Sequence, residues 1–261
     1  MTSLFSRLCF AALAFSCAIA SGPSLAQSAT IAAASDLQFA LEELRAQFQS
    51  DSGKTIQVVY GSSGNFYRQI REGAPFQMFL SADESYVLQL SEAGLTEDEG
   101  LLYALGRIVI IAPHGSRLKT DAQLQDLSAA LDSGRISRFA IANPEHAPYG
   151  ERAEEALRHA GLWDALQGKL VLGENVSQAA QFATSGNAQG GIIAYSLALS
   201  PNVSALGEFA LIPQQWHQAL RQRMVLLKTA NADVRDFYAY LQSAPAREIM
   251  LRYGFALPED Q

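Results

Sequence analysis

The chain has 261 residues, 49% of them hydrophobic and 17% charged, which is enough apolar material for one large domain or two smaller ones. Its formal net charge of -7 argues against nucleic acid and anionic membrane surfaces as main partners, because both select a basic protein face. The two cysteines, Cys9 and Cys17, are too few to form a zinc site.

Residues 1–26 have the features of a secretory signal peptide. Arg7 precedes the apolar run Leu8–Ala20, and Ser24-Leu25-Ala26 provides small residues at both recognition positions of a cleavage site. A membrane anchor is the alternative, but the run is short for one and no basic residue follows it closely. We therefore expect export to the periplasm with cleavage after Ala26, which also removes both cysteines and any disulfide chemistry.

The remaining chain alternates between predicted strands and predicted helices. The predicted strands are Thr30–Ala33, Thr55–Tyr60, Gln77–Leu80, Arg107–Ala112, Arg138–Ala142, Leu170–Leu172, Gly190–Ala194 and Arg223–Leu227. Helical spacing begins at Asp36, at Phe66 and after Asp83, and continues in Glu151–Ala160, Val176–Ser185 and a helix pair within Asn231–Tyr253. Repeated strand, polar turn and helix predict parallel βαβ units.

The chain lacks a linker rich in proline, glycine or serine that would separate independent domains. We therefore predict an α/β protein of two lobes, with the chain crossing between them near Arg107–Ala112 and Arg223–Leu227. The first lobe is predicted to contain residues 27–108 and 223–261, and the second residues 109–222. Ligands of open α/β sheets bind beyond the carboxyl ends of the strands.

Three glycine-containing segments approach enzyme motifs and fail to match them. Gly53-Lys54-Thr55 lacks the earlier glycine of a phosphate-binding loop, and Gly61-Ser62-Ser63-Gly64 lacks the final glycine of a nucleophile elbow. Gly186–Gly191 lacks the second glycine of a dinucleotide fingerprint. No two of the four histidines have metal-ligand spacing. We expect neither an enzyme nor a cofactor.

Neutral polar residues follow successive predicted strands at the points where helices begin. They are Ser35, Ser63, Ser81, Tyr149 and Asn175. Helix N-termini carry unpaired N–H groups and partial positive charge, so they can hold an oxyanion without lysine or arginine. Each serine taken alone could be a helix cap, but the repetition indicates a binding site for an oxyanion.

Six short motifs occur in order along the chain. They are Ala32-Ala33-Ala34-Ser35, Gly61-Ser62-Ser63-Gly64, Gln69-Ile70 with Gly73-Ala74-Pro75, Leu80-Ser81-Ala82-Asp83, Asn143-Pro144-Glu145-His146-Ala147-Pro148-Tyr149-Gly150, and Arg252-Tyr253-Gly254-Phe255. From about Thr30 to Phe255 they resemble the periplasmic molybdate-binding proteins of ABC transporters. The resemblance implies a two-lobed type II periplasmic binding fold, each lobe a mainly parallel sheet flanked by helices. It also implies a monomer that captures molybdate or tungstate and delivers it to a membrane permease.

The resemblance also implies which residues contact the ligand. Ser35 and Ser63 would bind oxygens through hydroxyl and backbone N–H groups, and Tyr149 and Val176 through backbone N–H groups. Molybdenum would be held only as the oxyanion, by these same residues. Ala194 stands where the family commonly has a ligand tyrosine, so the Tyr149 hydroxyl is expected to replace that donor.

Asp36 departs from the family pattern, in which a neutral residue is usual. An ionised carboxylate in the pocket would repel a dianion, whereas it could accept the proton of hydrogen phosphate. We expect the Asp36 carboxylate to cap the following helix and to offer only its backbone N–H to the ligand. Phosphate or sulfate remain alternative ligands. A ferric ion is a weaker one, because the chain has no adjacent tyrosine pair.

Overall fold

The computed structural model describes residues 29–258 of the chain. The predicted signal peptide and its cleavage site lie outside the described residues. Within residues 29–258, no helix has both the length and the apolar character needed to cross a membrane.

Two five-stranded sheets form the framework. The first contains β1 (Thr30–Ala34), β2 (Gln57–Gly61), β3 (Met78–Ser81), β4 (Leu101–Gly106) and β10 (Leu220–Leu226), in the order β2-β1-β3-β10-β4. The second contains β5 (Ile108–Pro113), β6 (Phe139–Ala142), β7 (Leu170–Gly173), β8 (Gly191–Ala194) and β9 (Gly207–Leu211), in the order β7-β6-β8-β5-β9. Each sheet is mixed: its first three strands are parallel, and its fourth runs antiparallel to both neighbours.

Helices flank both sheets. Those of the first are α1 (Gln38–Ser52), α2 (Ser63–Arg71), α3 (Glu84–Glu92), α10 (Ala232–Tyr240) and α11 (Ala244–Arg252), with a 3-10 turn at Ser35–Leu37 leading into α1. Those of the second are α4 (Gln125–Asp132), α5 (Pro148–His159), α6 (Trp163–Leu166), α7 (Val176–Thr184), α8 (Tyr195–Ala198) and α9 (Pro201–Ser204), followed by a 3-10 turn at Gln214–Trp216. The predicted two-lobed α/β architecture is confirmed.

The predicted strands are all present, and the strands that the sequence analysis missed lie at the sheet edges. β4 and β9 each pair on one side only, and most of their side chains are partly exposed. β9 carries Glu208 within its short sequence, but β4 (Leu-Leu-Tyr-Ala-Leu-Gly) is as apolar as a central strand, so the sequence offered a signal for β4 that the prediction did not use. By contrast β3, β6 and β8 are buried at every residue, as parallel strands covered on both faces require.

The chain crosses between the two sheets twice. It leaves the first sheet at the end of β4 and enters the second at the start of β5, with only Arg107 between them. It returns through residues 212–219, and β10 begins at Leu220, three residues before the expected boundary. We call each sheet with its flanking helices a lobe. The first lobe contains two apolar cores, one on each face of its sheet, and the second lobe has its own.

Candidate anion-binding site

A small cavity lies between the lobes, at the carboxyl ends of the parallel strands. Its lining residues are Ala34, Ser35, Asp36, Gly61, Ser62, Ser63 and Ala82 from the first lobe, and Ala147, Pro148, Tyr149 and Val176 from the second. The five residues predicted from the sequence to bind ligand are therefore brought together around one space. They come from four separate strand exits, two in each lobe.

Three helices begin at this cavity. Ser63 and Val176 are the first residues of α2 and α7, and Tyr149 is the second residue of α5, after a proline. The N–H groups of a first helical turn have no acceptor inside their own helix and carry partial positive charge. In α2 the next N–H, on Gly64, is already occupied by the carbonyl oxygen of His146 at 3.0 Å. The helix starts therefore offer backbone donors to an anion in the cavity.

The two serine hydroxyls are arranged to donate as well. The Oγ atom of Ser63 accepts a hydrogen bond from the backbone N–H of Ala82 at 2.9 Å. The Oγ atom of Ser35 accepts one from the N–H of Ser177 at 3.3 Å. Within residues 29–258, neither hydroxyl donates a hydrogen bond to protein, so both hydrogens remain available to a ligand oxygen.

Asp36 lies at the centre of a buried hydrogen-bond network that joins the lobes. Its carboxylate atom Oδ2 accepts from the Tyr149 hydroxyl at 3.0 Å and from Nε2 of Gln222 at 2.7 Å. Nε2 of Gln222 also donates to the Tyr149 hydroxyl at 3.0 Å, and Oε1 of Gln222 accepts from the Tyr103 hydroxyl at 2.7 Å. The side chain of Asp36 is only 1% exposed, and its second oxygen, Oδ1, has no hydrogen-bond partner within residues 29–258.

This arrangement corrects two expectations. The Asp36 carboxylate is not the side-chain cap of the 3-10 turn or of α1; its donors are Tyr149 on the opposite lobe and Gln222 on β10, and the adjacent backbone N–H groups of Asp36 and Leu37 add only to the lowering of its pKa. The Tyr149 hydroxyl does not have a free hydrogen for the ligand, because it donates that hydrogen to Asp36. What Tyr149 can still offer an anion is its backbone N–H.

Burial dominates the electrostatics of Asp36. Removal of its carboxylate from water raises the pKa of Asp36 to about 6, although the hydrogen bonds from Gln222 and Tyr149 lower it in part. Burial also raises the pKa of the Tyr149 and Tyr103 hydroxyls well above the ordinary value, and the nearby Asp36 carboxylate adds to this effect. Both phenols therefore keep their protons at neutral pH.

Further contacts across the cavity involve polar residues that the sequence analysis did not single out. The Ser177 hydroxyl donates to the backbone oxygen of Ser35 at 2.8 Å, and the Ser196 hydroxyl donates to the backbone oxygen of Asp36 at 2.8 Å. Both link the second lobe to the 3-10 turn that follows β1. Gln222 is fully buried although it stands between Arg221 and Arg223 in β10, so no signal in the sequence indicated its place in the site.

A second set of contacts joins the start of α2 to the second lobe. Oγ of Ser62 lies 2.9 Å from Nδ1 of His146, and Nε2 of His146 lies 3.6 Å from a carboxylate oxygen of Glu174. Asn65 donates to the other oxygen of Glu174. His146 is buried between the lobes and belongs to the interface rather than to the lining of the cavity.

Three other polar residues that follow strands make their contacts outside the cavity. Ser81 bonds to the backbone of Asp83 in the turn after β3, with its hydroxyl donating to the Asp83 carbonyl at 2.7 Å. Asn175 caps α7 by accepting from the Gln178 N–H at 3.1 Å. Tyr195 packs its ring edge-on against Phe209, with centroids 6.0 Å apart, and does not line the cavity.

The polar groups that line the cavity are thus neutral hydrogen-bond donors, except for one oxygen of the Asp36 carboxylate. Within residues 29–258, no cluster of three or more histidine, cysteine, aspartate or glutamate side chains could hold a bare metal ion. The donor set suits a small anion whose oxygens only accept hydrogen bonds.

Comparison with known proteins agrees with this geometry. Residues 29–256 match the family described as bacterial extracellular solute-binding protein. The molybdate-binding protein ModA of Rhodobacter capsulatus is 34% identical over 236 residues, which cover 89% of this chain and 90% of that protein. The molybdate-binding protein ModA of Escherichia coli K12 is 32% identical over 255 residues, which cover 95% of this chain and 96% of that protein.

Two solved structures share the fold. The periplasmic molybdate-binding protein of Azotobacter vinelandii aligns with a TM-score of 0.79 at 28% identity, over 88% of this chain and 99% of that chain. The sulfate-binding protein SubI of Mycobacterium tuberculosis H37Rv aligns with a TM-score of 0.72 at 14% identity, over 88% of this chain and 87% of that chain.

Proposed function

Because the chain belongs to the family of bacterial extracellular solute-binding proteins, we propose that it captures a tetrahedral oxyanion, molybdate, in the cavity between its lobes. Delivery of the anion to the membrane permease of an ABC transporter follows from this role, as does a periplasmic location. The protein acts by binding and release, without catalysis and without a cofactor.

The observation that carries the proposal is the donor set of the cavity. Ser35 and Ser63 each retain a hydroxyl hydrogen, and the first-turn N–H groups of Ser63, Tyr149 and Val176 lie on three separate helices. A dianion with four acceptor oxygens can engage these donors together, and the helix termini supply compensating positive potential. The overall negative charge of the protein is no obstacle, because the local field at the site comes from backbone dipoles.

The location of these donors on both lobes couples binding to closure. In the arrangement described here the lobes touch through Tyr149 with Asp36, Ser177 with Ser35, and His146 with Ser62. An anion that bonds to donors of both lobes stabilises this closed form relative to an open one, since only the closed form satisfies all of them. We propose that the protein acts as a monomer and that the closed form is what the permease recognises.

The relatives named for molybdate binding favour molybdate over other anions of similar shape. We propose that tungstate binds as well, because it has the same charge and nearly the same geometry. Sulfate is the principal competitor, as it is also a tetrahedral dianion and the more distant structural relative is named for sulfate binding.

Isothermal titration calorimetry tests the proposal directly. The purified protein is unfolded in urea, dialysed to remove carried anion, refolded, and titrated with sodium molybdate, tungstate, sulfate and phosphate. We expect one site per chain that binds molybdate and tungstate much more tightly than sulfate. Preference for sulfate or phosphate, or no molybdate binding by correctly refolded protein, would contradict the proposal.

A further inference from the structure

Asp36 is the one lining residue whose chemistry does not suit a dianion. Its carboxylate is buried in the cavity wall, with Oδ2 engaged by Tyr149 and Gln222 and Oδ1 unpartnered. A buried carboxylate oxygen without a partner is costly unless something supplies a proton or a donor to it. Molybdate and sulfate cannot supply either one near neutral pH, because they are fully deprotonated.

We propose that Asp36 binds the oxyanion through a proton carried on Oδ1, so that capture of a dianion takes up one proton from solvent. The inference rests on the proposed function and specifies how one residue of that site contacts the ligand. It makes Asp36 a hydrogen-bond donor in the complex, where an ionised carboxylate would repel the ligand.

The hydrogens of the surrounding network fix which oxygen carries the proton. Tyr103 donates to Oε1 of Gln222, and the two amide hydrogens of Gln222 go to Oδ2 of Asp36 and to the Tyr149 oxygen. Tyr149 donates its own hydrogen to Oδ2 as well. Oδ2 therefore already accepts two hydrogen bonds, whereas Oδ1 has no partner within residues 29–258. We therefore assign the proton to Oδ1, because an anion bound in the cavity that Asp36 lines supplies its acceptor.

The energetics favour this protonation in the complex. Burial, partly offset by the hydrogen bonds from Gln222 and Tyr149, brings the pKa of Asp36 in the closed form to about 6, so the neutral acid is accessible at moderate pH. A dianion within hydrogen-bond distance disfavours the ionised carboxylate further, because like charges in a buried site repel strongly. The pKa of Asp36 therefore rises on binding, and a rise in pKa on binding is proton uptake by linkage.

The other titratable groups near Asp36 do not supply this proton. Tyr149 on α5 and Tyr103 on β4 face the carboxylate, and their raised pKa values keep both hydroxyls neutral. The 3-10 turn, α7 and α8 contribute only the serines Ser35, Ser177 and Ser196 around it. Histidine is the residue type whose charge most readily changes near neutral pH, and His146, with Glu174 beside it, is the histidine at the lobe interface. It therefore serves as the control.

Calorimetry in buffers of different ionisation enthalpy measures the proton count. Molybdate is titrated into the refolded protein at pH 8, and the observed enthalpy is plotted against the enthalpy of buffer ionisation. We expect close to one proton taken up per molybdate. Affinity should fall about tenfold between pH 7 and pH 8, since each unit above the pKa of the free protein reduces the protonated fraction tenfold.

Two variants assign the proton to its residue. Asp36→Asn places an amide where the protonated carboxyl would donate, so molybdate binding should persist with no proton uptake and with affinity unchanged between pH 7 and 8. His146→Gln retains a polar side chain opposite Ser62, and proton uptake in this variant should persist. Loss of the proton uptake in His146→Gln, with retention in Asp36→Asn, would overturn the inference.

The unmodified protein by itself separates failure of the inference from failure of the proposed function. Molybdate binding without proton uptake, and with equal affinity at pH 7 and pH 8, would overturn the proposed role of Asp36. The proposed function, binding of an oxyanion in the cavity, would be unaffected by that result. Absence of molybdate binding together with tight binding of phosphate overturns the proposed function. Hydrogen phosphate brings its own proton to Asp36, so its binding would take up none.

Discussion

Ser63 offers a sharp test of the site, because the structure assigns its hydroxyl two separate tasks. The oxygen accepts the backbone N–H of Ala82 at 2.9 Å, and the hydrogen is free for the anion. Ser63→Ala should therefore weaken molybdate binding by roughly ten- to hundredfold, which corresponds to the loss of one charge-assisted hydrogen bond of about 1.5–3 kcal/mol.

The same substitution should also destabilise the empty protein. Without the Ser63 oxygen, the N–H of Ala82 loses its acceptor at a position that is almost fully buried. A buried donor left without a partner costs about 1–3 kcal/mol. Urea unfolding of the ligand-free variant measures this effect, and calorimetry with molybdate measures the affinity.

Ser81→Ala is the matched control. Ser81 is also a buried serine next to the cavity, at the exit of β3, but its hydroxyl bonds only to the backbone of Asp83. Its removal should lower stability by about 0.5–1.5 kcal/mol and leave molybdate affinity unchanged. If Ser63→Ala lost stability yet bound molybdate as tightly as Ser81→Ala, the hydroxyl of Ser63 would be structural only and the reasoning would be refuted.

Three more outcomes are expected from the contacts between the lobes. Tyr149→Phe removes a hydrogen bond to Asp36 that forms on closure, so molybdate affinity should fall about tenfold, while Tyr195→Phe leaves calorimetric affinity unchanged. Gly64→Ala would place a methyl carbon 2.6 Å from the backbone oxygen of His146 on the opposite lobe, so affinity should drop sharply while the melting temperature of the empty protein hardly moves. Because burial in the closed form raises the pKa of Asp36 to about 6, this residue should add up to about 3 kcal/mol to the unfolding free energy of the closed form as pH falls from 7 toward 4. Urea unfolding of the unmodified protein and of Asp36→Asn at each pH isolates this component, because the contributions of all other carboxylates are common to both. A pH profile identical in both proteins would contradict the assignment.

The sequence was sufficient to predict the architecture and the location of the site. Central strands such as β6 are apolar at every residue, and helices such as α1 repeat apolar residues at helical spacing, so both have clear local patterns. Polar residues at strand exits, including Ser35 and Ser63, are adjacent in sequence to those strands. The local sequence shows where a helix starts directly after a strand. Parallel strands bring their carboxyl ends to one edge of the sheet, so the predicted residues at these positions could be expected to lie close together.

The tertiary structure alone decided what each polar group does. Asp36 meets Tyr149 and Gln222, which are 113 and 186 positions away in the chain, and this meeting turns the carboxylate away from the helix cap expected of it. It also occupies the Tyr149 hydroxyl that the sequence had suggested for the ligand. An isolated aspartate at a helix start is expected to cap it, because nearby backbone N–H groups are the donors the local sequence supplies. The second lobe supplies Tyr149 and strand β10 of the first lobe supplies Gln222 as buried donors, and no local sequence pattern indicates which of these distant side chains will meet Asp36.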